Sequence, residues 1–263
     1  MHILIHSIRP GYSLSGFVVG LLVGFTGVGG GALMTPLLVL LFGIRATTAV
    51  GTDLLYACVT KTVGTAVHGF SGTVEWRIVR RMATGSVPAT ALTLMVLSHY
   101  QKQVQASSNV ITTVLGFALI LTAVSIVFRK WILNALADIA ARLTSRGTVL
   151  LTAALGAILG VLVSLSSVGA GAIGVTFLLI LYPKLPASKL VGSDIAHAVP
   201  LTLIAGIGHW FLGSIDVALL ISLLVGSIPG VIFGSYISAR VPDKVLRPVL
   251  AGTLAVVGAR LSF

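Results

Sequence analysis

From about residue 11 to residue 263, apolar segments follow one another with only short connectors between them, and this pattern excludes most folds. A hydrocarbon core roughly 30 Å thick takes about 20 apolar residues per helical crossing, and a backbone inside it must satisfy its own hydrogen bonds. The 263 residues include 56% hydrophobic and 9% charged side chains, with a mean hydropathy of +1.08. These values specify an integral membrane protein and leave no stretch for a separate soluble domain. The N-terminal run has no small-residue cleavage site after a short apolar core, so it reads as a retained segment.

Charge adds topology. Seventeen Lys and Arg against six Asp and Glu give +11, which in a soluble chain would point to nucleic acid. Here the cations sit in connectors, so no nucleic-acid partner is expected. Cys58 is the single cysteine and lies inside an apolar run, which rules out an internal disulfide framework or a cysteine-rich metal site.

The chain is duplicated. Gly16, Gly20, Val28, Gly29, Gly31 and Ala32 fall on Gly156, Gly160, Val168, Gly169, Gly171 and Ala172 at an offset of 140. After one inserted residue, "GTD" at 51–53 falls on "GSD" at 192–194, His68 on His209, Gly72 on Gly213 and "GSVP" at 85–88 on "GSIP" at 226–229, at an offset of 141. Each copy reads as a short segment (11–27; 148–166), a Gly-rich break, a second short segment (31–43; 171–182) and three full-length segments. The latter span 47–70, 82–98 and 109–128 in the first copy, and 186–212, 217–238 and 245–262 in the second. The second short segment cannot comfortably cross alone, so each pair is drawn as a helical hairpin.

The positive-inside rule orients this drawing. With Arg77, Arg80 and Arg81 cytoplasmic and each hairpin returning to its starting side, Arg129, Lys130, Arg142, Arg146, Lys184, Lys189, Arg240, Lys244 and Arg247 also come out inside. Among the other connector cations, Arg9, Arg45, Lys102 and Arg260 do not. The two copies then start on opposite sides of the membrane. The expected fold is all-α: a polytopic membrane protein of two inverted repeats, each a broken helical hairpin plus three transmembrane helices. Residues 1–128 form the first repeat, 129–147 an amphipathic linker at the cytoplasmic interface, and 148–263 the second repeat. Inverted repeats are a common architecture of secondary transporters, whose sites lie where broken helices meet near the midplane.

Three sets of residues could carry chemistry. "GVGGGA" (27–32) and "SVGAGA" (167–172) break apolar runs, which is tolerated only inside protein or along a cavity. Glycine amides and the positive end of the following half-helix suit a small anion, so Gly29, Gly30, Gly31, Gly169, Ala170 and Gly171 are candidate substrate contacts. Close helix packing is the competing explanation. The match of Gly27-x-Gly29-x-x-Ala32 to a dinucleotide fingerprint lacks the required strand and carries no weight.

The second set is ionisable: Asp53, Lys61 and His68 in one apolar segment, and Asp194, His197 and His209 in its copy. At about 100° per residue the first three share a helix face, and intramembrane charges usually face a bundle interior or a water path. The carboxylates could instead cap helix starts, His68 and His209 could be interfacial, and Lys61 could be a structural ion pair or a snorkelling side chain. Lys61 is the favoured substrate contact, because it lies mid-segment and its counterpart is Thr202. The third set, Pro88 and Pro229, offers either hinges or static packing. No nucleophile, base or metal set is present, so no enzyme activity, catalytic residue, metal or cofactor is expected.

The duplicated unit with "GFTGVGGGALMTPLLVLLFGI", "ATTAVGTDLL", a histidine some fifteen residues on, "SGTVEWR" and "GSVPATAL" resembles the sulfite exporter TauE/SafE family, also called the 4-toluene sulfonate uptake permease family. The resemblance covers nearly the whole chain and is loosest at "SVGAGAIG" and in the 129–147 linker. It implies secondary transport of small sulfur-containing anions, such as sulfite, sulfoacetate or other organosulfonates, across a bacterial inner membrane, driven by an ion gradient. The expected partners are the small anion and the lipid bilayer, with a homodimer allowed. A channel of the same fold and an intramembrane enzyme are the competing functions. Direction, coupling ion and oligomeric state are not legible.

Overall fold

A computed structural model describes residues 10–26, 31–70, 72–100, 108–237, 252 and 254–261. Every regular element among them is an α-helix. In chain order these are α1 (Pro10–Thr26), α2 (Gly31–Leu40), α3 (Ala46–Phe70), α4 (Trp76–His99), α5 (Ser108–Val127), α6 (Arg129–Ala141), α7 (Ser145–Ser166), α8 (Ala172–Leu181), α9 (Ala187–Phe211) and α10 (Val217–Ile237). Residues 254–261 are also helical.

By length and composition α7, α9 and α10 can each cross a membrane, and α5 with α6 forms a span bent by 72°. The 25-residue α3 and 24-residue α4 match them in length but contain Asp53 and Lys61, and Arg77, Arg80 and Arg81, respectively. At 1.5 Å per residue the ten-residue α2 and α8 are roughly 15 Å long, about half a bilayer. The second short segment of each copy therefore stands as expected. Two boundaries move: the helix expected at 148–166 opens at Ser145 and is long enough to cross, and α4 opens at Trp76, six residues before the apolar run begins at 82. Its first turns place Ile78, Val79 and Met82 in the interior while the arginines project elsewhere, so the helix continues where hydropathy alone stops.

The exterior is apolar and the polar groups are inside. Leu14, Leu92, Met95, Phe117, Leu150 and Ile158 are exposed, whereas Asp53, Lys61, Asp194, His197 and His209 are buried. This distribution suits a lipid surround.

The two copies grip each other through reciprocal contacts. α1 packs on α10 and α4 on α7. A side chain added at Gly16 would strike the Leu223 carbonyl, and one at Gly156 the Met82 carbonyl; Gly226 faces the Ser13 carbonyl, and Gly85 that of Ala153. Each pair of contacts is exchanged by the sequence offset. Small residues thus let backbones touch, the usual means of joining helices where no hydrophobic drive separates protein from lipid. The same exchange relates two hydrogen bonds: Glu75 N–H donates to Ser193 Oγ at 2.8 Å, and Asp216 N–H donates to Thr52 Oγ1 at 3.1 Å. The start of α3 thus lies beside the end of α9, and the start of α9 beside the end of α3. These two equivalent helices run antiparallel.

A buried anionic and cationic cluster at the α3 and α9 crossing

The backbone break between α7 and α8 positions the cluster. Ser167 ends α7 in the left-handed conformation (φ 58°), and Gly169 (φ 119°) and Gly171 (φ 107°) continue the break. Only glycine adopts these last two angles without strain. The break is buried, so its polar groups need partners. Ser167 N–H donates to the Val163 carbonyl at 2.7 Å and Val168 N–H to Ser166 Oγ at 3.2 Å. The opposite break, with Gly29 and Gly30, lies outside the described residues; Gly31 opens α2.

This tip meets both aspartates. Asp53, on α3, accepts a short hydrogen bond from Thr35 Oγ1 of α2 and faces the Ser167 hydroxyl. Asp194, on α9, faces the Gly171 N–H and packs against Gly174, where an added side chain would strike Oδ1. Among the described residues, Oδ1 of each carboxylate has no hydrogen-bond partner. Asp53 and Asp194 lie about two turns inside helices that open at Ala46 and Ala187, so neither caps a helix start. Capping fails because the helices begin earlier than the Gly-Thr and Gly-Ser pairs suggest.

Lys61 lies within electrostatic reach of both. It is 5% exposed, which excludes a snorkelling side chain. Asp53 and Asp194 both act on its ammonium electrostatically, yet among the described residues it forms neither an ion pair nor a hydrogen bond. A buried cation held near two carboxylates without closing on either is costly unless another group completes its shell.

His197 and His209 are buried, at 0% and 2% exposure, so the interfacial alternative does not hold for His209. His197 Nε2 lies 2.8 Å from Ser86 Oγ. His209 Nε2–H donates to the Ser164 carbonyl at 2.9 Å, and the Nδ1 atoms of both rings lack partners. Of His68 only the backbone, within α3, is described. Ala170 is buried in the break. Pro88 and Pro229 lie inside α4 and α10; Pro88 is exposed and does not face the cluster.

Sequence reading missed Thr35, Ser86 and Ser167. A signal existed for Ser86: it is the serine of "GSVP", and under the offset its partner is Ser227. Ser86 meets His197, while Ser227 faces Tyr56, the residue equivalent to His197. The proline had drawn attention away from the serine beside it. No group of three or more His, Cys, Asp or Glu with metal-binding geometry occurs among the described residues.

The sequence profile described as sulfite exporter TauE/SafE matches residues 12–261. The chain is 39% identical over 258 residues to a probable membrane transporter protein, YjnA, of Bacillus subtilis (strain 168), covering 94% of this chain and 97% of the relative. A second probable membrane transporter protein of that organism, YdhB, is 29% identical over 254 residues, with 94% and 97% covered. No solved structure matches.

Proposed function

Because the chain belongs to the sulfite exporter TauE/SafE family, a family of membrane transporters, we propose that it is a secondary transporter of small sulfur-containing anions. Sulfite, sulfoacetate or another organosulfonate crosses the inner membrane by alternating access, coupled to an ion gradient. The observation that supports this most is Lys61, a buried ammonium without an ion pair or hydrogen bond among the described residues. An oxyanion completes the shell that Asp53 and Asp194 leave open. Gly29 to Gly31 and Gly169 to Gly171 are the further candidate substrate contacts, offering backbone N–H groups to the anion. The reciprocal contacts and antiparallel α3 and α9 support two inverted repeats, 1–128 and 148–263, joined by the 129–147 linker at the cytoplasmic face.

The geometry also suggests the coupling. With Asp53 and Asp194 both ionised, they and Lys61 together carry a net single negative charge, which repels an anion. One proton on either carboxylate removes that repulsion, so anion and proton enter together. His197, facing Lys61, His209 and His68 are candidate relays, and Pro88 and Pro229 candidate hinges.

The test is thermal stabilisation of the purified protein by sulfite, sulfate, sulfonates, thiosulfate and carboxylates, repeated with Lys61→Ala. Stabilisation by a sulfur oxyanion that Lys61→Ala abolishes supports the site; stabilisation indifferent to that change overturns it. Counterflow in proteoliposomes separates a carrier from a channel, since only a carrier is accelerated by substrate on the opposite side.

A further inference from the structure

Away from the central cluster, two adjoining cavities lie where helices of both copies meet. One, of about 440 Å³, is apolar and lies between α5, α6, α7 and α8, lined by residues such as Val124, Ile132, Leu136, Ile158 and Phe177. The other, of about 390 Å³, is lined by Arg81, Ser145, Thr148, Tyr182 and Lys184. Leu143 and Leu181 line both, so a single molecule can occupy a basic chamber at one end and an apolar slot at the other.

The basic chamber is organised. Arg81 Nη1 donates to the Tyr182 hydroxyl at 3.2 Å, and that hydroxyl lies 2.9 Å from Thr152 Oγ1. Among the described residues no acidic side chain lines it, and neither Arg81 nor Lys184 is ion-paired with a described carboxylate. The chamber opens at the N-terminus of the 22-residue α7, whose dipole adds positive potential. Arg142 and Arg146 flank its wall in sequence. Under the internal duplication Arg81 corresponds to Ser222 and Lys184 to Gly43. The other copy therefore lacks these cations, which sets the chamber apart from the duplicated transport machinery.

We propose that this pair of cavities is a binding site for an anionic phospholipid, with the phosphate head group between Arg81 and Lys184 and an acyl chain in the slot beneath α6. Charge complementarity selects the head group, and the apolar lining accepts the chain. The bend of 72° between α5 and α6 opens the slot. A free anion would fill only the basic chamber.

Native mass spectrometry and thermal unfolding of the full chain in detergent test the site, using phosphatidylglycerol, phosphatidylcholine with the same acyl chains, and glycerol 3-phosphate. Phosphatidylglycerol is expected to bind roughly 30-fold more tightly than phosphatidylcholine, from two basic contacts, and glycerol 3-phosphate to give no stabilisation. Arg81→Gln with Lys184→Gln, or Lys184→Gln alone if the double variant does not fold, brings phosphatidylglycerol toward the phosphatidylcholine level. Ala154→Phe, which fills the slot without touching charge, weakens both lipids. Equal binding of the two lipids, an unaffected Lys184→Gln, or glycerol 3-phosphate stabilising as well as phosphatidylglycerol would each overturn the proposal. Anion binding at Lys61 is a separate readout, so failure of one site leaves the other intact.

Discussion

Gly174 lies so close to Asp194 that any side chain on its Cα would collide with Oδ1 of the carboxylate. Gly174 sits within helical α8, where alanine is intrinsically better by about 1 kcal/mol. Overpacking costs about 1–3 kcal/mol, and it falls on the carboxylate facing Lys61. Gly174→Ala is therefore expected to lower the unfolding temperature and weaken anion-dependent stabilisation. Gly69→Ala, near the end of α3 with open space around it, is expected to be neutral or slightly stabilising. If Gly174→Ala behaves like Gly69→Ala, the carboxylate is not held there.

Thr35 gives Asp53 its hydrogen bond. Thr35→Val keeps the shape but leaves a buried carboxylate oxygen unsatisfied, at a cost of about 1–3 kcal/mol. Thr35→Ser restores the donor. Detergent unfolding curves should rank wild type and Thr35→Ser together, above Thr35→Val; equal stability of all three would remove Thr35 from the site.

Acidification should strengthen anion binding. Protonating either Asp53 or Asp194 raises the net charge of the cluster by one, so affinity increases as pH falls. Asp194→Asn mimics the protonated form and should bind at the acid level with a flatter pH profile. Calorimetric titration across pH with the stabilising anion checks the sign, and a profile steeper in Asp194→Asn than in wild type excludes this coupling.

The reciprocal bonds of Ser193 to Glu75 and Thr52 to Asp216 predict matched effects. Ser193→Ala and Thr52→Val each leave a backbone N–H without its partner and should destabilise by about 1 kcal/mol. Their double variant should show the sum, because independent sites add. Gly85→Leu and Gly226→Leu, each directed at a backbone carbonyl of the other copy, should both prevent assembly of a stable fold, seen as loss of a monodisperse peak in size-exclusion chromatography. A strong effect from one and none from the other would break the equivalence of the copies.

The amino-acid sequence by itself determined the membrane class, the duplication and the extent of most helices, because apolar run length and internal identity are one-dimensional properties; α4, whose first turns carry arginines, is the exception. It also nominated Asp53, Lys61 and Asp194, since a charge inside an apolar run stands out whatever its surroundings. Tertiary structure decided which of them meet. Only the packing of α3 against α9 and the turn of the α7–α8 break bring Ser167 to Asp53 and Gly171 to Asp194, and only the approach of α2 gives Asp53 its Thr35. Ser86 and Thr35 are ordinary helix residues in the linear chain; they acquire roles because distant backbones, held close by glycine, place single hydroxyls against buried charges and rings. The basic chamber is likewise assembled from Arg81 on α4, Ser145 at the start of α7 and Lys184 in the connector after α8, which meet only when the two copies interlock.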